Sequence, residues 1–424
     1  MNKKDLGIYI HIPFCVKKCL YCDFLSDTAC TEDMQNYVEA LLREIKYTMT
    51  DDEKLTEDYR VVSVFFGGGT PSILKGSIIA DILNAVKERF VFAPDAEITI
   101  ECNPGTATAE KMREWIKAGI NRLSIGLQSA NDDELRNLGR IHDYATFKQT
   151  YQMAVEEGFE NINVDLMCAI PGQTLESFEH SLEEIAGLNV AHISAYSLII
   201  EEDTPFYDMY GCGEPDEQLP KLVDEDTERE MYYATERILA EYGYHRYEIS
   251  NYCKDGRECR HNVGYWTGMD YLGLGVGAAG YVRGFRYSNT SDIYVYMNNC
   301  RGLGELQNEA FLVSEDDDDE EDVTSDSRTC NYEEVLYSEK NHTSIHKQTR
   351  NDRIEEFMFL GLRMMKGISR QEFKCRFGCD IDEIYGAALD KLAKEQMLTV
   401  CGDRIMLTKR GIDVSNIVLA NFLL

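Results

Sequence analysis

Residues 7–24 read GIYIHIPFCVKKCLYCDF, a short run rich in β-branched residues followed by a loop with three cysteines. Similar runs recur up to about residue 200, separated by amphipathic stretches whose apolar residues are spaced three or four apart. This alternation predicts parallel strands joined by helices, which right-handed crossovers close into a full or partial barrel. The predicted strands are 7–12, 61–66, 96–101, 121–127, 161–166 and 191–198, and the predicted helices are 34–47, 78–90, 108–118, 145–157 and 176–187.

We therefore predict an α/β fold built on a partial (β/α)6 barrel, with additional α+β elements and a C-terminal helical, winged-helix-like domain. The barrel core covers residues 1–200 and an extension of the barrel covers 201–302. Residues 303–350 include EDDDDEED (315–322) and a stretch rich in Ser, Thr and Asn, which is typical of a flexible, solvated insertion. Helical patterns return in 351–424, the predicted C-terminal domain.

The composition excludes several classes of protein. The 424 residues include 43 Lys and Arg and 75 Asp and Glu, so the formal net charge is −32. A field of this sign repels phosphate backbones and anionic lipid surfaces, which argues against a nucleic-acid partner. No apolar run approaches the roughly 20 residues of a membrane helix, and the N-terminus lacks the apolar stretch of a signal peptide. We expect a cytoplasmic protein without an integral membrane segment.

Three of the fourteen cysteines, Cys15, Cys19 and Cys22, are close together in the sequence. A chain of this size and expected compartment does not need a disulfide framework, so this group requires another explanation. Clustered thiolates favour zinc or an iron–sulfur cluster, and three of them would leave one iron of a [4Fe–4S] cluster open to another ligand. Zinc would need a fourth ligand such as His11, and free thiols are the third alternative.

Further polar residues follow the later predicted strands, where parallel βα barrels place their active sites. The GGGTPS loop (67–72) exposes backbone N–H groups that a ligand can approach closely. Carboxylates such as Glu101 and Asp165 suit ribose hydroxyls or an amino group, and Arg140 suits a carboxylate or an adenine-bearing ligand. Each residue alone is also typical of ordinary structure, but their occurrence on successive loops predicts a common site.

The motifs YIHIPFCVKKCLYCDF, FFGGGTPS, IECNPGT, SIGLQS, LGRIH and DLMCAIPGQT resemble the radical S-adenosylmethionine (SAM) superfamily, and within it the coproporphyrinogen III oxidase-like branch. The resemblance covers most of the chain outside the acidic insertion. It implies that Cys15, Cys19 and Cys22 hold a [4Fe–4S] cluster whose fourth iron is chelated by SAM. It also implies SAM contacts at Tyr9, Tyr21, Gly68, Gly69, Thr70, Glu101, Gln128, Arg140 and Asp165.

Two functional classes share these motifs: the oxygen-independent coproporphyrinogen III oxidases, which decarboxylate propionates, and the HemW haem chaperones. Phe24 stands where the oxidases carry a fourth cysteine. Six residues precede the first predicted strand, where the oxidases carry a long extension. The segment CRHNVGYW (259–266) resembles the HNxxYW element of HemW. The chain is therefore most similar to the HemW branch.

The resemblance implies a haem site around this element. A neutral imidazole at His261 can ligate haem iron, with a thiolate of Cys253 or Cys259 as the alternative ligand. Stacking on the porphyrin and contacts to its propionates are expected from Tyr265, Trp266, Arg257 and Arg260. The structural alternative is that His261 caps a turn and Trp266 is core.

The expected function is that of a haem chaperone, which binds haem and passes it to an acceptor protein that the sequence does not identify. A reductant such as a flavodoxin or a ferredoxin would serve the cluster. Whether the chain is also an enzyme is left open, with no coproporphyrinogen oxidase activity expected; the alternative is an oxygen-independent coproporphyrinogen III oxidase. The chain departs from the family at Cys168–Ala169, where relatives usually have Tyr-Gly.

Overall fold

The computed structural model describes residues 3–47, 53–211, 217–301, 303 and 341–424. Strands and helices alternate through its first half, as the sequence predicts. Strands β1 to β6 are Lys4–Ile12, Tyr59–Gly68, Phe92–Cys102, Arg122–Gln128, Ile162–Cys168 and His192–Ser197. Helices α1 to α7 are Thr31–Tyr47, Glu53–Asp58, Gly76–Arg89, Ala109–Ala118, Asp132–Asn137, Tyr144–Glu157 and Leu175–Gly187.

Local sequence explains these boundaries. Every residue of β4 is buried, as expected of a parallel strand covered on both faces. Helix α4 begins where the Thr108 side chain accepts a hydrogen bond from the backbone N–H of Lys111. It ends at Gly119, whose φ of 105° lies in the left-handed region that glycine adopts readily.

Strands β1 to β6 lie side by side in chain order and pair in parallel, which confirms the partial barrel. Their carboxyl ends therefore meet along one edge, where the loops carrying the predicted site residues also lie.

Residues 217–301 and β12 lengthen this sheet at both ends. The strands β7 to β12 are His245–Glu248, Asn251–Cys253, Asp270–Leu274, Ala279–Val282, Phe285–Asn289 and His342–Lys347, and the helices α8 to α10 are Glu225–Glu241, Arg260–Trp266 and Ile293–Arg301. The resulting strand order is β12-β11-β10-β9-β1-β2-β3-β4-β5-β6-β8-β7. Strand β9 is parallel to β1, whereas β8 is antiparallel to β6, so the extension continues the barrel sheet on both sides.

Most of the predicted acidic insertion, residues 304–340 with EDDDDEED, lies outside the described residues. Its last part is a strand and not a flexible linker, because β12 pairs in antiparallel fashion with β11. Every helix in the described ranges is too short or too polar to cross a membrane.

The C-terminal part has a hydrophobic core of its own, which includes Ile354, Met358, Phe373 and Leu389. Its helices α11 to α15 are Arg350–Gly361, Arg370–Phe377, Ile381–Lys394, Lys409–Asp413 and Ser415–Leu419, and its strands β13 to β15 are Ile368–Ser369, Leu398–Cys401 and Arg404–Leu407. Strands β14 and β15 form the expected antiparallel wing, and β13 adds a third strand to it.

Candidate functional site

A cavity of about 460 Å³ opens at the carboxyl ends of the barrel strands. The cysteine loop after β1 forms one wall, and the loops after the later strands form the others. Most of the predicted site residues line it, namely Cys15, Cys19, Tyr21, Cys22, Gly68, Gly69, Thr70, Glu101, Gln128, Arg140 and Asp165. Two predicted residues, Tyr9 and His261, do not.

The cysteine loop is held in place by backbone hydrogen bonds. The N–H of Cys15 donates to the carbonyl of Asp27 at 3.0 Å, and the N–H of Leu20 donates to the carbonyl of Leu138 at 3.1 Å. The thiols of Cys15, Cys19 and Cys22 are all free and partly exposed. They are therefore available to soft metal ions from the cavity side.

The arrangement of these thiols bears on which metal they suit. Two ligand atoms on one tetrahedral zinc ion lie roughly 3.3–3.8 Å apart. The sulfur atoms of the three cysteines do not all lie within 4.8 Å of one another. His11, the fourth ligand that zinc would need, has both ring nitrogens near other groups, with Nδ1 3.0 Å from the Tyr9 hydroxyl and Nε2 2.8 Å from the Leu25 carbonyl oxygen. The donor set fits a wider centre such as an iron–sulfur cluster better than a single ion.

The glycines of the GGGTPS loop are required by close packing. A Cβ at Gly68, whose φ is +110°, would lie 2.5 Å from the His11 ring, and a Cβ at Gly69 would lie 2.7 Å from the backbone oxygen of Phe14. These contacts are far inside van der Waals separation. The two glycines therefore let the end of β2 press against the cysteine loop.

Two carboxyl groups, Glu101 and Asp165, face the same cavity. Burial and then the neighbouring Asp165 raise the pKa of Glu101 to about 8, although its Oε2 accepts a hydrogen bond from the Gly68 N–H at 3.2 Å. Burial also raises the pKa of Asp165, which accepts a 2.7 Å hydrogen bond from the Asn163 amide. A cationic ligand in the cavity would stabilise both carboxylates.

Arg140 connects the loop after β3 with the cysteine loop across this cavity. Its guanidinium donates to the Asn103 side-chain oxygen at 2.8 Å and to the Gly126 carbonyl, and Nη1 lies 3.6 Å from the Cys19 sulfur. Sequence reasoning missed Asn103, although it lies in the CNPGT motif directly after β3.

The sixth strand contributes a further cavity residue that the sequence analysis left out. The Tyr196 hydroxyl donates to Oε1 of Gln128 at 3.0 Å, and both side chains line the cavity. The position of Tyr196 near the carboxyl end of a predicted strand was a signal that could have found it.

His261 lies inside the barrel wall, away from this cavity. Its Nδ1 is 3.0 Å from the Ser63 hydroxyl, its Nε2 is 2.9 Å from the Tyr265 hydroxyl, and its ring stacks on Phe65. Burial lowers its pKa to about 3, so the imidazole is neutral at physiological pH. Both nitrogens are thus engaged within the chain. Tyr9 lies beside the same group, with its ring centroid 6.5 Å from that of His261.

A second cavity, of about 330 Å³, separates α9 and β10 from the C-terminal helices. Aromatic side chains form much of its wall, and four cationic side chains also line it. The aromatic residues are Trp266, Tyr281, Phe357 and Phe377, and the cationic residues are Arg353, Lys366, Arg376 and Arg404. Of these residues, only Trp266 belongs to the haem site predicted from the sequence. Arg260, which it expected near a ligand, instead pairs with Asp95 at 2.9 Å.

Known proteins resemble this chain in both its barrel and its C-terminal part. The sequence profile of the Radical SAM superfamily matches residues 9–185, and that of the HemN C-terminal domain matches residues 348–414. Among solved structures, the fold is similar to that of the coproporphyrinogen III oxidase (HemN) from Escherichia coli, described as a radical SAM enzyme, with a TM-score of 0.76 over 99% of this chain and 90% of that one at 22% identity.

Curated relatives are also similar to this chain in sequence. The chain is 32% identical to the "Heme chaperone HemW" of Lactococcus lactis, over 100% of this chain and 99% of the relative. It is 33% identical to the protein of the same name from Bacillus subtilis, over 98% of each chain. The chain therefore belongs to the HemW family within the radical SAM superfamily.

Proposed function

We propose that this protein is a haem chaperone, which holds a [4Fe–4S] cluster and SAM in the barrel cavity and haem in the second cavity. The name shared by its full-length relatives supports the chaperone role. The observation that carries the haem proposal is the second cavity, whose aromatic walls and cationic side chains lie next to the HNxxYW element.

In the barrel cavity, Cys15, Cys19 and Cys22 would hold the cluster. The cluster with SAM supplies one-electron chemistry that no side chain provides. Carboxylates at Glu101 and Asp165 suit the positive charges of SAM, and its carboxylate suits Arg140. The other proposed SAM contacts that line the cavity are Tyr21, Gly68, Gly69, Thr70 and Gln128. Tyr9 does not line it, and its hydroxyl lies 3.0 Å from Nδ1 of His11 instead.

The second cavity suits a flat, apolar molecule with acidic groups at its edge. Of its four cationic residues, Arg376 pairs with Glu372 at 2.6 Å. Within the described part of the chain, Arg353, Lys366 and Arg404 form no ion pair, and all three are exposed. These cations stand out in a chain with a net charge of −32, and they could pair with the propionates of haem at the protein surface.

An exposed haem site suits delivery, because an acceptor protein can reach the bound molecule. We therefore propose haem and an unidentified acceptor protein as partners, and a flavodoxin or a ferredoxin as the reductant of the cluster. Cytoplasmic location remains part of this proposal. Ligation of haem iron by His261 would require the ring to give up its hydrogen bond to Ser63 or Tyr265.

The second candidate function, coproporphyrinogen oxidation, is less well supported. Phe24, at the position where the oxidases carry a fourth cysteine, lines the barrel cavity and is 64% exposed. An apolar ring there cannot supply the thiol. The likeness to the oxidase structure extends to the fold only.

The experiment is a haem titration of anaerobically reconstituted protein, followed at the Soret band. We expect saturation near one haem per chain, and roughly tenfold weaker binding in Lys366→Ala/Arg404→Ala, because each lost contact of an exposed charge removes up to about 1 kcal/mol. The matched control is Arg60→Ala/Arg113→Ala, which removes two exposed cations outside this cavity. Equal affinity in both double variants would contradict the proposed haem site.

The same preparation decides between chaperone and oxidase. Reconstituted protein with SAM and a reductant is incubated with coproporphyrinogen III, and released CO2 is measured. We expect no release above a Cys15→Ser/Cys19→Ser/Cys22→Ser control. Release that depends on these cysteines would establish the oxidase function instead.

A further inference from the structure

A group of potential metal ligands lies outside both cavities, at the end of the β7–β8 hairpin. Nε2 of His245 is 3.6 Å from the sulfur of Cys253 and 3.6 Å from Oε1 of Glu258. All three ligand atoms lie within 4.8 Å of one another. On one tetrahedral zinc ion, a nitrogen and a sulfur lie about 3.6 Å apart, and a nitrogen and an oxygen about 3.3 Å. Two of the three separations are therefore almost those that a bound ion would impose.

The backbone holds these residues together. His245 and Cys253 are direct partners across the antiparallel β7–β8 pair, so their side chains lie on the same face. The loop after Cys253 turns back at Gly256, whose φ is +71°, with the N–H of Arg257 donating to the carbonyl of Lys254 at 3.0 Å. This turn returns Glu258 to the imidazole.

A fourth residue, Asp255, occupies the other side of the imidazole. Its Oδ1 lies 3.5 Å from Nδ1 of His245. Histidine ligands of zinc characteristically donate their second ring N–H to a carboxylate, which fixes the tautomer and leaves the other nitrogen free to bind. Asp255 lies on this side of the ring, and a small movement of its exposed carboxylate would bring it within hydrogen-bond distance.

The charges favour a cation at this position. Across the described ranges, neither Asp255 nor Glu258 forms an ion pair with a lysine or an arginine, and both carboxylates approach the same imidazole. The sulfur of Cys253 is fully buried beneath them, whereas the His245 and Glu258 side chains are 43% and 39% exposed. An ion could therefore enter from solvent and reach a thiol that is otherwise shielded.

We propose that His245, Cys253 and Glu258 form a binding site for a zinc-class divalent cation, with Asp255 orienting the imidazole. A thiolate, an imidazole and a carboxylate are the mixed donors that zinc accepts, and three of them leave a fourth position for water. The ion links β7, β8 and the loop that enters α9, so it fixes the start of the helix that carries His261 and Trp266. This inference is independent of the proposed haem function.

The test measures zinc binding to the full chain with its cluster reconstituted, so that Cys15, Cys19 and Cys22 do not compete for the metal. Zinc content is determined by elemental analysis after dialysis against Zn²⁺, and Co²⁺ serves as the optical probe for a thiolate ligand. We expect one zinc ion per chain and a sulfur-to-cobalt charge-transfer band. Both are lost in Cys253→Ser.

Because Cys253 is buried, two exposed variants provide the decisive comparison. His245→Gln and Glu258→Gln are expected to weaken zinc binding at least about tenfold, and Asp255→Asn by a smaller factor, up to about tenfold. The first matched control is His346→Gln, which alters an exposed histidine that pairs with Asp352 but does not form a metal-ligand group with a cysteine. The second is Cys401→Ser, which removes an exposed thiol. Unchanged zinc affinity in His245→Gln and Glu258→Gln would overturn the proposal, as would a cobalt spectrum without the thiolate band.

Discussion

Asn262 and Trp266, four residues apart on α9, line different cavities: Asn262 faces the barrel cavity and Trp266 faces the cavity beside the C-terminal helices. On the same helix, His261 and Tyr265 hydrogen-bond to each other within the barrel wall. A single short helix thus forms part of both proposed binding sites. If α9 shifts when a ligand fills one cavity, the α9 residue that lines the other cavity moves as well.

The cysteine loop gives the first prediction. Cys15→Ser/Cys19→Ser/Cys22→Ser should lose all cluster iron and the broad visible absorption after anaerobic reconstitution, because hydroxyl groups do not replace thiolates at iron. Cys30→Ser, which alters an exposed thiol outside the cavity, should retain both. Iron analysis and absorption spectra check this, and equal iron in both proteins would disprove the cluster assignment.

The raised pKa of Glu101 predicts pH-dependent SAM binding. At pH 7 this carboxyl is largely protonated in the empty site, since its pKa is raised to about 8. A cationic ligand favours the carboxylate, so binding should release a proton and should tighten as the pH rises from 6 to 8. Calorimetry in buffers of different ionisation enthalpy measures this. In Glu101→Gln the pH dependence should be smaller.

The same shift predicts how the ligand-free protein responds to pH. A carboxyl whose pKa rises from the ordinary 4.5 to about 8 on folding stabilises the folded state below pH 4.5, relative to higher pH. This contribution is lost as the pH rises towards 8. The free energy of unfolding of Glu101→Gln should therefore fall less between pH 5 and 8 than that of the parent protein. Parallel pH profiles would show that Glu101 does not titrate in this range.

Ala169 adopts a φ of 61°, in the left-handed region that favours glycine, the residue that the family resemblance predicts there. A side chain there costs about 1 kcal/mol, so Ala169→Gly should raise the free energy of unfolding by up to that amount. Ala154→Gly, at a buried position in the last turn of α6, should instead lower it by about 1 kcal/mol. Urea denaturation separates the two, and a loss of stability in Ala169→Gly would contradict this account.

His261→Ala should destabilise the fold. It leaves the Ser63 and Tyr265 hydroxyls without their partner and opens a cavity, at a cost of about 2–4 kcal/mol in the free energy of unfolding. If haem lies in the second cavity without ligation by His261, the haem affinity of the folded variant should stay near that of the parent. Loss of the Soret band at a temperature where the variant is still folded would instead show that haem binding depends on His261, as ligation by this residue predicts.

The barrel and the residues of the barrel cavity could be predicted because the sequence patterns that indicate them are local. Each strand is a short apolar run, and the residues that line the barrel cavity follow these runs on successive loops. The second cavity could not be predicted in this way, because Trp266, Tyr281 and Phe357 belong to three separate elements. The surroundings of His261 were missed for a similar reason, because Ser63 lies on β2 and no sequence pattern shows which side of α9 meets that strand.

The residues on either side of the stretch 304–340, Leu303 and Asn341, both contact Cys300. The N–H of Leu303 donates to the Cys300 carbonyl at 3.1 Å, and the Asn341 amide donates to the Cys300 sulfur at 3.2 Å. Because the two ends of this stretch meet at one residue, even a short connection could join them. The free-energy cost of closing the loop rises by only about 0.6 kcal/mol for each doubling of its length. A change in the length of this stretch should therefore leave the fold intact, and an experimenter can exchange it for an affinity tag or a fluorescent label.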